Sequence, residues 1–259
     1  MEEITAQSLI DISVSVVSHL QIELVSHLLD DLERCCQGSR FELILTLNLD
    51  EVLPFSRDQY SFPIQIVRNA QPLGFGANHN QAFSLARGPF FCVMNPDIRL
   101  QDDPFIALLP CLDPSPVGVV APRVVGVDGR VEDSARRFPS PFKILCKAFG
   151  RCKGSDYVIE RALIYPDWVA GMFMLFSSAV FERLGGFDDR YFLYYEDVDI
   201  CARLRLQQFD VVLCPSATVV HCAQRASHRS ARYMRWHLQS MSRFFLSPVY
   251  WKRLLPFAL

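Results

Sequence analysis

The sequence predicts an α/β fold, a mostly parallel central sheet flanked by helices, and three observations predict it. Short β-branched runs alternate with segments of helical apolar spacing. Acidic and glycine-bearing motifs follow directly on the runs. Half of the 259 residues are hydrophobic, enough for one sizeable core. One domain spanning 1–259 is expected, with a core over about 8–222 and a basic amphipathic helical extension over 223–259.

Ile12 to Val17 is a β-branched run ending in Ser18-His19. Ile22, Leu24, Val25, Leu28, Leu29 and Leu32 follow at helical spacing, so strand then helix is expected. Phe41 to Leu47 and Ile64 to Val67 read as further strands. Gly74-Phe75-Gly76 opens a helix over Ala77 to Ala86 that stops at Gly88-Pro89, before a strand from Phe90 to Met94 and the turn Asn95-Pro96-Asp97. Val117 to Ala121 is a strand, and Asp128-Gly129 turns a hairpin between Val124-Val125 and Val131. Arg136 to Arg161 lacks periodicity and reads as a long loop with one short helix, of the kind that covers substrates. Regularity resumes at Trp168 to Phe176, then in helices from Ser178 to Leu184 and to about Gln207, and in a strand from Val211 to Cys214.

The formal net charge of -2 exerts no global pull on polyanions, and no nucleic-acid partner is expected. Nine scattered cysteines without a C-x-x-C pair fit reduced thiols in a cytosolic protein better than a disulfide scaffold. Met1 to Gln7 carries two glutamates and no basic segment, and no apolar stretch approaches a membrane span, so neither signal peptide nor transmembrane helix is expected.

Asp97 sits where ligands bind in open α/β sheets, at a strand's C-terminal end. A hard divalent cation, Mg²⁺ or Mn²⁺, can be held there by one carboxylate with the phosphates of a nucleotide-activated sugar. A plain Asn-Pro-Asp turn explains the same residues. Glu196, Asp197 and Asp199 follow the aromatics Tyr191, Phe192, Tyr194 and Tyr195. A general base beside sugar-stacking rings accounts for this pattern, and so does a helix N-terminus that favours acids. His221 is a candidate to complete the metal shell. Gly74-Phe75-Gly76-Ala77-Asn78 says only that backbone approaches closely there.

In order, the strand into Ser18-His19, Leu73 to Asn80, Asn95-Pro96-Asp97, Trp168-Val169-Ala170-Gly171, Gly185-Gly186-Phe187-Asp188 and Tyr194 to Asp199 resemble the family 2 glycosyltransferases, across residues 12 to 245. Asp167-Trp168, the run Glu196 to Asp199 and Arg235-Trp236-His237-Leu238 resemble, within it, the bacterial rhamnosyltransferases of O-antigen (lipopolysaccharide) assembly. The resemblance implies a GT-A (nucleotide-diphospho-sugar transferase) fold and inverting transfer, with dTDP-L-rhamnose as donor and a lipid-linked (polyprenyl diphosphate) GlcNAc or growing glycan as acceptor. It implies that Asp97 is the surviving aspartate of the D-x-D metal motif, with His221 beside the metal, and that Glu196 or Asp197 is the base. Ser18, His19, Asn48, Gly74, Phe75, Asn78, Asn95, Trp168 and Gly171 would bind the nucleotide sugar, and Tyr194, Tyr195 and Asp199 the acceptor. The family's base-reading aspartate falls here at Leu47-Asn48, with Asp50 as a possible substitute.

After Asp210 there is no acidic residue, while Arg225, Arg229, Arg232, Arg235, Arg243, Lys252 and Arg253 supply seven positive charges. With the apolar stripe Met234, Leu238, Met241, Phe245, the tail reads either as a helix lying on an anionic membrane surface or as a core-packed helix with a solvated basic face. A cytoplasmic enzyme, peripheral on the inner face of the plasma membrane, is the expected location. Two rival readings stand beside the transferase. One is a non-catalytic sugar-nucleotide- or glycan-binding protein that keeps the fold. The other is a nucleotidyltransferase, which needs a basic glycine-rich loop that Ser18 to Glu23 does not provide.

Overall fold

A computed structural model describes residues 10–112, 116–148, 154–222 and 231–254. The central sheet has eight strands, β1 (Ile12–Ser18), β2 (Phe41–Leu47), β3 (Ile64–Arg68), β4 (Phe90–Met94), β5 (Ile98–Arg99), β6 (Val117–Gly126), β9 (Phe173–Ser177) and β10 (Asp210–His221). A small two-stranded ribbon pairs β7 (Ala135–Arg136) with β8 (Trp168–Val169). Helices α1 (Ile22–Cys35), α2 (Phe75–Phe83), α3 (Phe105–Leu108), α4 (Pro141–Ala148), α5 (Ser178–Arg183), α6 (Glu196–Leu206), α7 (Ala231–Leu246) and α8 (Pro248–Leu254) surround them.

The strand order is β3-β2-β1-β4-β9-β6-β10-β5. Strands β3, β2, β1 and β4 are parallel, so the ends Leu47, Ser18 and Met94 share one edge of the sheet. All seven residues of β2 are buried, as a strand covered on both faces requires. The inner face of α1 (Val25, Leu28, Leu29, Leu32) fills the core on one side of the sheet, and Phe91, Phe176, Phe181 and Ile200 belong to the core on the other.

Two antiparallel insertions shape the site. Strand β9 runs against both β4 and β6, and the loop before it meets the β4 turn, where the Asn95 amide donates to the Met172 carbonyl at 2.9 Å. Strand β5 pairs with the end of β10, placing His221 opposite Ile98, next to Asp97. The segment Ala217 to Val220 is therefore the continuation of β10 beyond an irregularity after Cys214, not a separate strand.

Other elements differ from expectation in extent. Helix α2 starts two residues earlier, at Phe75, because Gly74 already adopts the cap conformation. Trp168 to Phe176 is split at 170–172 into β8 and β9. The Asp128-Gly129 hairpin is tight, with Gly126 N–H donating to the Arg130 carbonyl at 2.8 Å and Gly129 at φ 75°. Among its described residues the long loop holds one helix, α4.

The described part of the basic tail, 231–254, is two helices, α7 and α8. Phe244 and Tyr250 are buried, each such side chain contributing about 1.5–3 kcal/mol of apolar burial, and Met241 and Phe245 pack beside them. Met234, Leu238, Trp251 and Leu254 remain exposed. Arg225 and Arg229 lie outside the described residues. Among the described residues no helix is long and apolar enough to cross a membrane, and the eight described cysteines are free thiols.

Candidate active site

Two cavities open along the C-terminal edge of the sheet and share Tyr194. The first, about 450 Å³, lies over the ends of β1, β2 and β4. His19, Asn48, Phe75, Asn78 and Asn95, expected as donor contacts, line it together with Asp97 and with Tyr194, which was expected on the acceptor. It is also lined by His79, Phe192 and Trp236, which lie in the motifs without an assigned role, and by Tyr233, which no motif contains. Of these, Trp236 stacks on Phe192 with ring centroids 4.7 Å apart, so α7 forms an aromatic wall of this cavity.

Two proposed nucleotide contacts have other duties. The Ser18 hydroxyl donates to Glu51 at 2.7 Å, and Glu51 also accepts the amides of Leu20 and Ile22, holding the β1–α1 loop with Leu20 at φ 60°. Asn48 bonds both the amide and the carbonyl of Leu73, pinning the loop before α2. Asp50 is fully exposed beside Arg68 and does not line the cavity. Gly74 is required by space, because a Cβ there would lie 2.7 Å from the Phe192 carbonyl oxygen.

Asp97, His221 and Glu132 form a chain. His221 Nε2 lies 3.2 Å from Asp97 Oδ2, and its Nδ1 lies 2.9 Å from Glu132 Oε2. Burial disfavours a charged His221 ring, but the two carboxylates outweigh it and push its pKa up to about 8. The other Asp97 oxygen, Oδ1, is buried without a hydrogen-bond partner. Among the described residues lining this cavity there is no lysine or arginine. The orphaned Asp97 oxygen and a described lining without lysine or arginine both fit a divalent metal carrying substrate phosphates. Among the described residues no group of three or more His, Cys, Asp and Glu side chains could hold a metal unaided. A hard cation needs only one or two carboxylates when phosphates and water supply the rest.

The second cavity, about 350 Å³, is lined by Tyr194, Tyr195, Glu196, Asp197, Trp168, His237 and the cations Arg136, Arg137 and Lys143. Trp168 thus belongs to this cavity and not to the donor side, and its indole N–H is held by the Arg137 carbonyl at 3.1 Å. Tyr194 and Tyr195 both take left-handed backbone (φ 69°), a strained entry that aims the start of α6 at the cavity. Asp197 accepts N–H bonds from Gly171 (3.1 Å) and Val198 (2.8 Å). Burial raises its pKa, and those amides and Arg136 oppose the rise. Burial and then the Asp197 charge push Glu196 up to about 8. The two amides favour the charged form of Asp197, while Glu196, with Oε2 unpartnered, is the acid pushed higher. Gly171 joins the two cavities, because a Cβ there would sit 3.4 Å from the Phe75 ring and 3.6 Å from Asp197. Asp199 does not line either cavity. It is buried and bonded to Arg203 Nε at 2.7 Å, so its role is structural, not acceptor binding.

The model of the family described as "Glycosyltransferase like family 2" matches residues 35–238. The chain belongs to this family. The rhamnosyltransferase WbbL of Escherichia coli (strain K12) is 27% identical over 248 residues, covering 89% of this chain and 91% of that protein. The N-acetylglucosaminyl-diphospho-decaprenol L-rhamnosyltransferase of Mycobacterium tuberculosis (strain ATCC 25618 / H37Rv) is 31% identical over 156 residues, covering 56% of this chain and half (50%) of that one. The crystal structure of GalNAc-T7 with UDP, GalNAc and Mn²⁺ superposes with a TM-score of 0.69 at 13% identity, over 98% of this chain and 52% of that structure. This likeness shows the GT-A fold. The protein is a glycosyltransferase.

Proposed function

We propose that this glycosyltransferase transfers L-rhamnose from dTDP-L-rhamnose, with inversion, to a lipid-linked GlcNAc or growing glycan in cell-surface polysaccharide synthesis. The observation that carries the reading is Asp197, a carboxylate fixed by two backbone amides, which lines a second, sugar-sized cavity beside the one that ends on Asp97, whose described lining holds no lysine or arginine. The acceptor hydroxyl attacks the anomeric carbon and gives its proton to Asp197, while the bond from that carbon to the β-phosphate oxygen breaks and its electron pair leaves with the diphosphate. Asp97 and His221 would hold Mg²⁺ or Mn²⁺, which would supply the positive charge that stabilises the leaving diphosphate. The two rhamnosyltransferase relatives support the donor, the name of the second supports a polyprenyl diphosphate acceptor, and the Mn²⁺ of the structural relative supports the metal.

The test is consumption of dTDP-rhamnose, UDP-sugars and GDP-sugars by purified protein with and without EDTA. Metal-dependent turnover of dTDP-rhamnose is expected, and Asp97→Ala should abolish it while leaving the thermal transition in place. Full turnover by that variant in EDTA would refute the metal role, and binding of donor without any turnover would favour a non-catalytic binding protein.

A further inference from the structure

The cations of the site lie in the wrong cavity to serve the donor. The described lining of the donor cavity contains no lysine or arginine, whereas Arg136, Arg137 and Lys143 all line the second. A donor diphosphate would be balanced by a metal, whereas in the second cavity a cluster of three protein cations includes Arg137, which has no carboxylate in salt-bridge range among the described residues and can take another anion. We propose that they form a subsite for a phosphate group on the acceptor, next to the sugar that receives the transferred residue. This inference rests on the glycosyl-transfer reading and adds which residues select the acceptor.

The three cations come from one segment and are held in different ways. Arg136 lies over the Trp168 ring, 5.3 Å from its centroid, and pairs with Asp133 at 3.0 Å, which holds its guanidinium in place. Lys143 is braced by Asp156 on the cavity wall. Arg137 is exposed and rests 5.9 Å over Tyr157, with no carboxylate in salt-bridge range among the described residues. Arg136 and Lys143 are thus each held by one carboxylate, Asp133 and Asp156, and the Arg137 guanidinium is the member of the three left to face a ligand's charge. Trp168, Tyr194 and Tyr195 offer ring surface in the same cavity, suited to a sugar, while the arginine forks suit phosphate oxygens. An acceptor that is a sugar joined to a phosphate or diphosphate satisfies both parts, and a neutral glycan satisfies only the first.

The experiment compares two soluble acceptors that differ in one feature, an alkyl GlcNAc-diphosphate and the corresponding alkyl GlcNAc glycoside without phosphate. Both are measured as acceptors and, through quenching of intrinsic tryptophan fluorescence, as ligands without donor. The wild-type protein should prefer the diphosphate by about tenfold or more, as expected for charge-assisted bonds to phosphate. Arg137→Gln, at an exposed position where folding is not at stake, and Lys143→Ala should each move that ratio toward one. Equal use of the two acceptors by the wild type, or an unchanged ratio in both variants, would overturn the proposal. Vesicles containing phosphatidylglycerol and no acceptor form a third arm. If the variants lose vesicle binding yet keep the acceptor preference, the cations serve a lipid headgroup and the proposal falls. If the diphosphate binds, its binding is lost in the variants and no sugar is transferred from any donor, the subsite stands and the transfer reading fails.

Discussion

At the scale of single residues, the adjacent acids Glu196 and Asp197 differ through their partners. Backbone amides favour a charged Asp197, while Glu196 is buried with Oε2 unpaired. Asp197→Asn should lower kcat about 10²- to 10⁴-fold with little change in donor binding, as loss of a general base does. Glu196→Gln mimics the protonated acid and should keep most of the turnover. Its signature lies in stability. A carboxyl whose folded pKa is raised to about 8 keeps in the folded state a proton that the unfolded chain has lost, so its stabilising contribution fades as pH rises through 8. The melting temperature of Glu196→Gln relative to wild type should therefore increase from pH 5 to pH 9, and a constant difference would show that Glu196 is ionised throughout. Glu132 was not singled out by any motif. It grips His221 Nδ1 and so fixes which ring nitrogen faces Asp97. Glu132→Ala should weaken Mn²⁺ affinity, titrated with dTDP in the absence of acceptor, by about 10- to 100-fold, and Glu132→Gln should restore part of it.

At the scale of elements, the two tail helices divide by burial. Phe244 and Tyr250 anchor them, while Met234 and Leu238 on α7 and Trp251 and Leu254 on α8 face outward among Arg232, Arg235 and Lys252. A surface of this kind binds anionic bilayers with about 1 kcal/mol per basic residue. In vesicle flotation the double variant Trp251→Ser, Leu254→Ser should lose binding to phosphatidylglycerol vesicles at moderate salt, with its thermal transition little changed because both side chains are already exposed. Retention by the variant would assign the tail to core packing alone. The same helices show what the sequence could not express. Apolar spacing marked Met234, Leu238, Met241 and Phe245 as one stripe, but spacing carries no information on where the core ends, and the stripe runs off it halfway. Local signals served better where one strand or turn suffices. The strand runs of β1 to β4, the Asp128-Gly129 hairpin and the Asn95-Pro96-Asp97 turn were legible because β-branched runs and turn residues act locally. The pairing of β5 with the end of β10, which delivers His221 to Asp97, joins residues more than a hundred positions apart and left no local mark.

At the scale of the whole molecule, the site is an interface between two halves of the chain. The ends of β1, β2 and β4 with α2 make most of the donor cavity, and the segment from Arg136 to Val198 makes most of the second. Ordered motifs revealed both halves, yet nothing local in the sequence distinguished which cavity Trp168 would enter. That was decided by the β7–β8 ribbon, whose register sets Trp168 opposite Arg136. Helix α7 closes both cavities at once, with Tyr233 and Trp236 on the donor side and His237 on the other, where it meets the rings of Tyr194 and Tyr195. Neighbouring residues of one helix should therefore separate the two substrates. Trp236→Ala removes an aromatic wall shared with Phe192 and should raise the donor KM about tenfold, the loss of roughly 1.4 kcal/mol of contact, with the acceptor KM nearly unchanged. His237→Ala should do the reverse. Initial-rate measurements with each substrate varied in turn decide the matter, and if either variant shifts both constants equally, α7 is a structural brace and the two cavities do not act as separate sites.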